Sequence, residues 1–143
     1  MPAPAVSFVP PPNTHHIEAL AALGVARRYR RGALLIQEGE TGDTLYIVLQ
    51  GRLRAFVSDN QGRELTLGLY GPLEYVGEMS LDGGPRSANV EAADASTCAV
   101  VSRATLLDYI SAHPEFALEL MARLIRRARL ATDSARSVAL IDV

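Results

Sequence analysis

Gly77-Glu78-Met79-Ser80-Leu81-Asp82-Gly83-Gly84-Pro85-Arg86-Ser87-Ala88 is the stretch on which the reading of this chain turns. It sets a carboxylate, an arginine, a hydroxyl and several small residues on one short connection between apolar runs. A concave pocket for a sugar phosphate calls for these residue types. Arg86 presents a planar fork of donors to phosphate oxygens, and in a partly dehydrated pocket such charge-assisted bonds are stronger than neutral ones. Glu78 suits a sugar hydroxyl. A carboxylate beside a phosphate is repulsive, so Glu78 must face the sugar while Arg86 faces the anion. Ser87 can donate its hydroxyl. The small side chains of Ser87 and Ala88 let a ligand approach their backbone N–H groups.

Outward from this segment, residues 29–101 break into short apolar runs separated by turn residues, at 33–37, 44–49, 52–58, 63–69, 73–76, 88–92 and 97–101. Strands at this spacing predict an antiparallel sandwich or barrel. The alternation is clearest where Leu65, Leu67 and Leu69 interleave with Glu64, Thr66 and Gly68, the pattern of a strand with one face buried. Asp59-Asn60-Gln61-Gly62 supplies the hairpin turn before it. Gly39, Gly42, Gly51, Gly62 and Gly71 fall between runs, where tight turns need positive φ.

Helical spacing flanks the strands. Asn13 or Thr14 caps a predicted helix reaching about Val25, with Ile17, Leu20 and Leu23 near one face. Ser102 is the expected N-cap of a helix over 105–112, and a second helix starts near Pro114 with no breaker before the chain ends. On it Ala117, Met121, Leu124, Ala128, Ala131, Ala135 and Val138 recur at spacings of four and three, a heptad seam of small residues that predicts a parallel homodimer. Arg123, Arg126, Arg127 and Arg129 read as a solvated helix face. The organisation is a Pro-rich arm at 1–12, a β-roll with short helices at 13–113, and a long helix at 114–143.

Composition sets the outer limits. A chain of 143 residues that is 48% hydrophobic is one domain's worth with a real core. Fourteen basic against sixteen acidic residues give a net charge of -2, which offers no general attraction to a phosphate backbone or an anionic membrane. The single cysteine, Cys98, sits in a buried-strand pattern and reads as inert core packing. Neither a membrane-length apolar run nor a signal segment is present, so a cytoplasmic protein is expected.

The Gly77–Ala88 segment resembles the phosphate-binding cassette of cyclic-nucleotide-binding domains. Upstream, Gly39-Glu40-Thr41-Gly42-Asp43-Thr44-Leu45-Tyr46-Ile47-Val48-Leu49-Gln50-Gly51-Arg52-Leu53 is similar to the strand–turn–strand that precedes the cassette in that family. Residues 130–143 resemble the dimer helix and hinge of the catabolite-activator (Crp/Fnr) regulators. The resemblance implies a mainly β fold with flanking helices, an antiparallel β-roll or jelly roll followed by a long C-terminal dimerisation helix.

It also implies site residues: Glu78 on the ribose 2′-hydroxyl, Arg86 and Ser87 on the cyclic phosphate, Gly77 allowing close approach to the sugar, and Thr132 against the purine. The ligand would be cAMP or cGMP, with Ser87 and Thr132 favouring cAMP. No metal and no catalysis are expected. DNA would be met only through a helix-turn-helix downstream of this chain. From Glu78 to Arg86 the cassette is one residue shorter than the family pattern. That leaves open a stand-alone sensor, or a β-roll interaction module that has lost nucleotide binding. A metal-dependent enzyme on a related β-roll would draw histidines from its strands. His15, His16 and His113 all lie outside the roll, the first two reading as a solvated helix start and the last as a cap before Pro114.

Overall fold

The structure, a computed structural model, describes residues 14–78 and 82–141, with the side chains of 131 and 134–141 excepted. The arm at 1–12, cassette positions 79–81 and the closing Asp142-Val143 lie outside the described residues. The order of elements is α1 (His15–Ala22), β1 (Val25–Tyr29), β2 (Leu34–Ile36), β3 (Thr44–Gln50), β4 (Leu53–Ser58), β5 (Glu64–Tyr70), β6 (Tyr75–Val76), β7 (Asn89–Ala92), β8 (Ser96–Ser102), α2 (Arg103–Ala112) and α3 (Pro114–Ile141). By its internal contacts the chain divides into one unit up to Leu106 and a second from Leu107.

In the first unit two antiparallel four-stranded sheets run β1-β8-β3-β6 and β2-β7-β4-β5. The core lies between them. Val48, Val76 and Cys98 from the first sheet meet Ile36, Leu53, Ala55, Val90 and Ala92 from the second, with Tyr29, Leu35, Tyr46 and Tyr70 packed against the cluster. These are largely β-branched and aliphatic residues on inward-pointing positions, which a two-sheet sandwich buries.

Two strand expectations change. β1 begins at Val25, where the sequence predicts a helix to end, and covers residues for which the sequence predicts no strand. Its residues are exposed but for a half-buried Tyr29, so it shows no apolar alternation, and its pairing with β8 from Val25↔Val100 to Tyr29↔Ser96 defines it. On β5 the leucines do not form one buried face: Leu65, Leu67 and Leu69 are 64%, 54% and 52% exposed. β5 is the edge strand of its sheet, and the register splits its leucines between the faces. Ala55 pairs with Gly68 but Phe56 with Thr66, which leaves Leu67 as an extra residue in a bulge. Leu65 therefore stands opposite Val57 and Leu69 opposite Arg54, on different faces of the sheet. Outside, Arg54 ties three strands together, with Glu64 and Glu91 carboxylates at 2.7 and 2.8 Å and its guanidinium 4.2 Å over the Phe56 ring.

The hairpin turn forms as expected. The Asp59 carboxylate accepts N–H bonds from Gln61 and Arg63 at 2.9 Å, and these and the Arg63 side chain hold its pKa below the ordinary carboxylate value. Gly39, Gly51 and Gly62 do take positive φ, whereas Gly42 and Gly71 do not. At the turn 71–74, a leucine adopts what glycine usually adopts: Leu73 has φ 67°, inside a turn closed by the Glu74 N–H on the Gly71 carbonyl at 3.0 Å.

Thr14 stands at the α1 N-cap, but its hydroxyl donates to the Glu18 carboxylate at 3.0 Å instead of accepting from the backbone. His16 is buried with Ile17 and Leu20, which corrects the solvated reading: His16 and Leu20 lie four apart on one face of the helix. Ser102 caps α2 as predicted, its Oγ accepting the Thr105 N–H at 3.1 Å.

In the second unit, α3 is 28 residues long. Tyr109 meets His113 at 4.4 Å and, edge-on, Phe116 at 5.5 Å. The His113 carbonyl accepts the Phe116 N–H at 2.9 Å, in line with a role at the start of α3. Leu118, Met121 and Ile125 are exposed, as is Ala128, while Ala117 and Leu124 are partly buried. The open apolar line therefore runs 118, 121, 125, 128, a rotation of the expected seam. Ala131, Ala135 and Val138 of that seam lie outside the described side chains.

Two measurements test these packing statements. Burial pushes the Cys98 thiol from 9.0 up to about 11. The native state holds that proton more tightly than the unfolded chain, so the associated stability is present below about pH 9 and is lost as pH rises towards 11. At pH 8 a thiol-specific disulfide reagent should react with the native protein far more slowly than with the denatured one. At position 73, Leu73→Gly should be more stable than Leu73→Ala by about 1 kcal/mol, the reverse of the usual order, because only glycine escapes the left-handed penalty. Paired urea denaturations give the sign.

Candidate ligand-binding site

β6 delivers the cassette. Its two residues pair with β3 as Tyr46↔Val76 and Ile47↔Tyr75, and the next residue, Gly77, turns with φ 102°. A side chain could not be added there, since a Cβ would stand 2.6 Å from the Thr44 carbonyl oxygen and 3.0 Å from Arg86 Nη1. Glu78 follows and is only 3% exposed. On the returning limb, Asp82 Oδ1 accepts the Gly84 N–H at 2.8 Å and Gly83 takes φ 84°, a local turn that brings the chain back within the shortened cassette.

Arg86 is then clasped by main chain. Its N–H donates to the Glu40 carbonyl and its carbonyl accepts the Gly39 N–H, both at 2.9 Å. Glu38 N–H donates to Asn89 Oδ1 at 2.8 Å, which continues the clasp to the start of β7. The side chain turns inward and is 6% exposed. Nη2 donates to the carbonyl and to Oγ1 of Thr44, both at 2.9 Å, and Nη1 to the Gly77 carbonyl at 3.3 Å. All three acceptors are neutral. Gly42 lies against the Nε–Nη2 edge of the guanidinium, where a Cβ would meet Nε at 2.9 Å and Nη2 at 3.0 Å.

Of the residues expected from sequence, Gly77 and Arg86 are therefore in direct contact, and Glu78 is buried next to Gly77 in the chain. Ser87 is exposed and Ala88 half-buried immediately after Arg86. Thr132 belongs to the second unit, exposed on α3, its hydroxyl donating to the Ala128 carbonyl at 3.1 Å. Sequence reading did not single out Gly42 and Thr44 as contacts of Arg86. A glycine between Thr41 and Asp43 looks like any turn glycine until its φ is known to be ordinary and its neighbour to be an arginine 44 residues on.

A separate concavity of about 280 Å³ is lined by Arg52, Leu69, Tyr70, Gly71, Pro72 and Glu74. It shares no residue with the cassette. Its cation, Arg52, is paired with Asp94 at 2.7 Å, so it has little to offer an anion.

The buried arginine and carboxylate on a sheet-to-sheet connection can be set beside known proteins. Residues 26–113 match the cyclic nucleotide-binding domain. The cAMP-activated global transcriptional regulator CRP of Escherichia coli O6:H1 is 29% identical over 118 residues, which cover 81% of this chain and 56% of that protein. The cyclic AMP receptor protein of Thermus thermophilus is 40% identical over 104 residues, 72% of this chain and 48% of its own length. The chain thus spans about half the length of these curated relatives. The crystal structure of the Thermus thermophilus catabolite activator protein shares its fold with a TM-score of 0.79 at 32% identity, covering 94% of this chain and 62% of that one. The family match, the paired antiparallel sheets and the Gly77–Ala88 cassette agree, and the chain belongs to the cyclic nucleotide-binding domain family, on its Crp side.

Proposed function

We propose that this chain is the cyclic-nucleotide sensor of a Crp-type transcriptional regulator working in the cytoplasm, with cAMP as its ligand and no catalytic step. One observation carries the reading: Arg86 is a buried cation whose hydrogen-bond acceptors among the described residues are two carbonyls and a hydroxyl. Burying a charge costs several kcal/mol unless an opposite charge meets it, so the arrangement favours an anionic ligand. The E. coli and Thermus relatives, named for their response to cAMP, support the choice of nucleotide.

Arg86 and Ser87 hold the cyclic phosphate, helped by the N–H groups of Ser87 and Ala88. Glu78 accepts the ribose 2′-hydroxyl, and Gly77 leaves room for the sugar. Thr132 supplies a hydroxyl to the purine. The signal passes through a homodimer joined along α3, and cAMP drives it by binding one helix arrangement better than the other, since only differential affinity shifts an equilibrium. The exposed line Leu118, Met121, Ile125 and Ala128 supports a helix seam, because it repeats at spacings of three and four. DNA binding is left to a helix-turn-helix beyond this sensor half.

Calorimetric titration with cAMP and cGMP tests the ligand. Binding of cAMP with a weaker response to cGMP is expected. No heat and no thermal shift with either at millimolar concentration would mean a β-roll without nucleotide function. Arg86→Ala should cost on the order of 3–5 kcal/mol of binding, roughly two to four orders of magnitude in affinity, because the phosphate charge loses its partner. An unaltered Kd would put the anion elsewhere. For the seam, light scattering should give twice the chain mass for the wild type and the single-chain mass for Ile125→Glu.

A further inference from the structure

We infer that Thr44 is a positioning residue for nucleotide affinity, its hydroxyl holding the Arg86 guanidinium aimed before any ligand arrives. The inference rests on the proposed role of Arg86 at the phosphate and extends it to a residue that need not touch the ligand. A free arginine has many rotamers, and a ligand that must order it loses affinity in doing so. Here the ordering is built into the fold. Nη2 reaches both the carbonyl and Oγ1 of Thr44 at 2.9 Å, and Nη1 reaches the Gly77 carbonyl at 3.3 Å.

The carbonyls fix the guanidinium in one direction only. A carbonyl oxygen accepts over a broad range of angles, so the two main-chain acceptors alone allow the fork to swing. The Thr44 hydroxyl supplies a second acceptor to the same nitrogen, and Gly42, lacking a Cβ, leaves room for the Nε–Nη2 edge of the guanidinium beside the loop. Thr44 is itself held firmly, as the first residue of β3, paired with Ser102 of β8. The frame is thus the sheet, and the hydroxyl is its one adjustable contact with the anion-binding fork. Thr44 is also β-branched, with a restricted χ1, so its Oγ1 is not free to wander.

Thr44→Val keeps the shape and both carbonyl contacts and removes only the hydroxyl, while Thr44→Ser keeps the hydroxyl. In calorimetric titrations of the full chain with cAMP, Thr44→Val should bind about three- to tenfold more weakly than wild type, the scale of one ordinary net hydrogen bond, because the carbonyl contacts remain. Thr44→Ser should stay within about twofold. Independently of any ligand, the Arg86 Nε–H signal in a ¹⁵N spectrum, assigned by its disappearance in Arg86→Lys, should be sharp in the unliganded wild type and Thr44→Ser and broadened in Thr44→Val. Wild-type binding with an unchanged Kd and an unchanged Nε–H signal in Thr44→Val would overturn the inference. If wild type binds no cyclic nucleotide, the proposed ligand fails. The Nε–H comparison alone then decides whether Thr44 fixes the arginine.

Discussion

A guanidinium taken out of water, with carbonyls and a hydroxyl around it, is the constraint on which the rest of this structure depends. Arg86 is 6% exposed and is held at both ends, by its own backbone pairing with Gly39 and Glu40 and by the side-chain bonds to Thr44 and Gly77. Those contacts come from three separate segments: the loop before β3, the start of β3 and the turn after β6. They meet only because β3 runs between β8 and β6 in one sheet. The glycines at 42 and 77 follow from the same constraint, since a Cβ at either would stand about 3 Å from the guanidinium.

Such a site works against stability. Neutral acceptors satisfy the donors but do not cancel the charge, and a domain is stable by only a few kcal/mol, so a buried cation must be offset elsewhere. The offset lies in the sandwich core, where Val48, Leu53 and Cys98 are wholly buried between the two sheets. Placing the candidate site on a connection carried by a rigid pair of sheets keeps Arg86 fixed while the strain of the turns, including Leu73, stays at the edge of the core.

Much of this was legible one residue at a time. Turn residues and short apolar runs marked seven of the eight strands, the helix caps at Ser102 and Pro114 were readable from local chemistry, and the cassette announced its carboxylate and its arginine together. The failures have a common cause. β1 carries no side-chain pattern because its pairing with β8 is a backbone matter. The Leu65, Leu67 and Leu69 alternation was real, but a one-residue bulge turned part of it to the other face. His16 looked solvated because charge and polarity say nothing about which face of a helix is covered.

The sequence by itself determined the order of every element but β1, the antiparallel β class, the long last helix and the residue types of a candidate anion site, because these depend on short-range spacing, turn chemistry and composition. Only the tertiary structure decided that Gly42 serves space and not backbone freedom, that Thr44 meets Arg86 across 42 residues of chain, and which leucines stay in the open. Contacts between distant segments are set by how two sheets twist and register against each other, and no local pattern along one strand records the partner it will find.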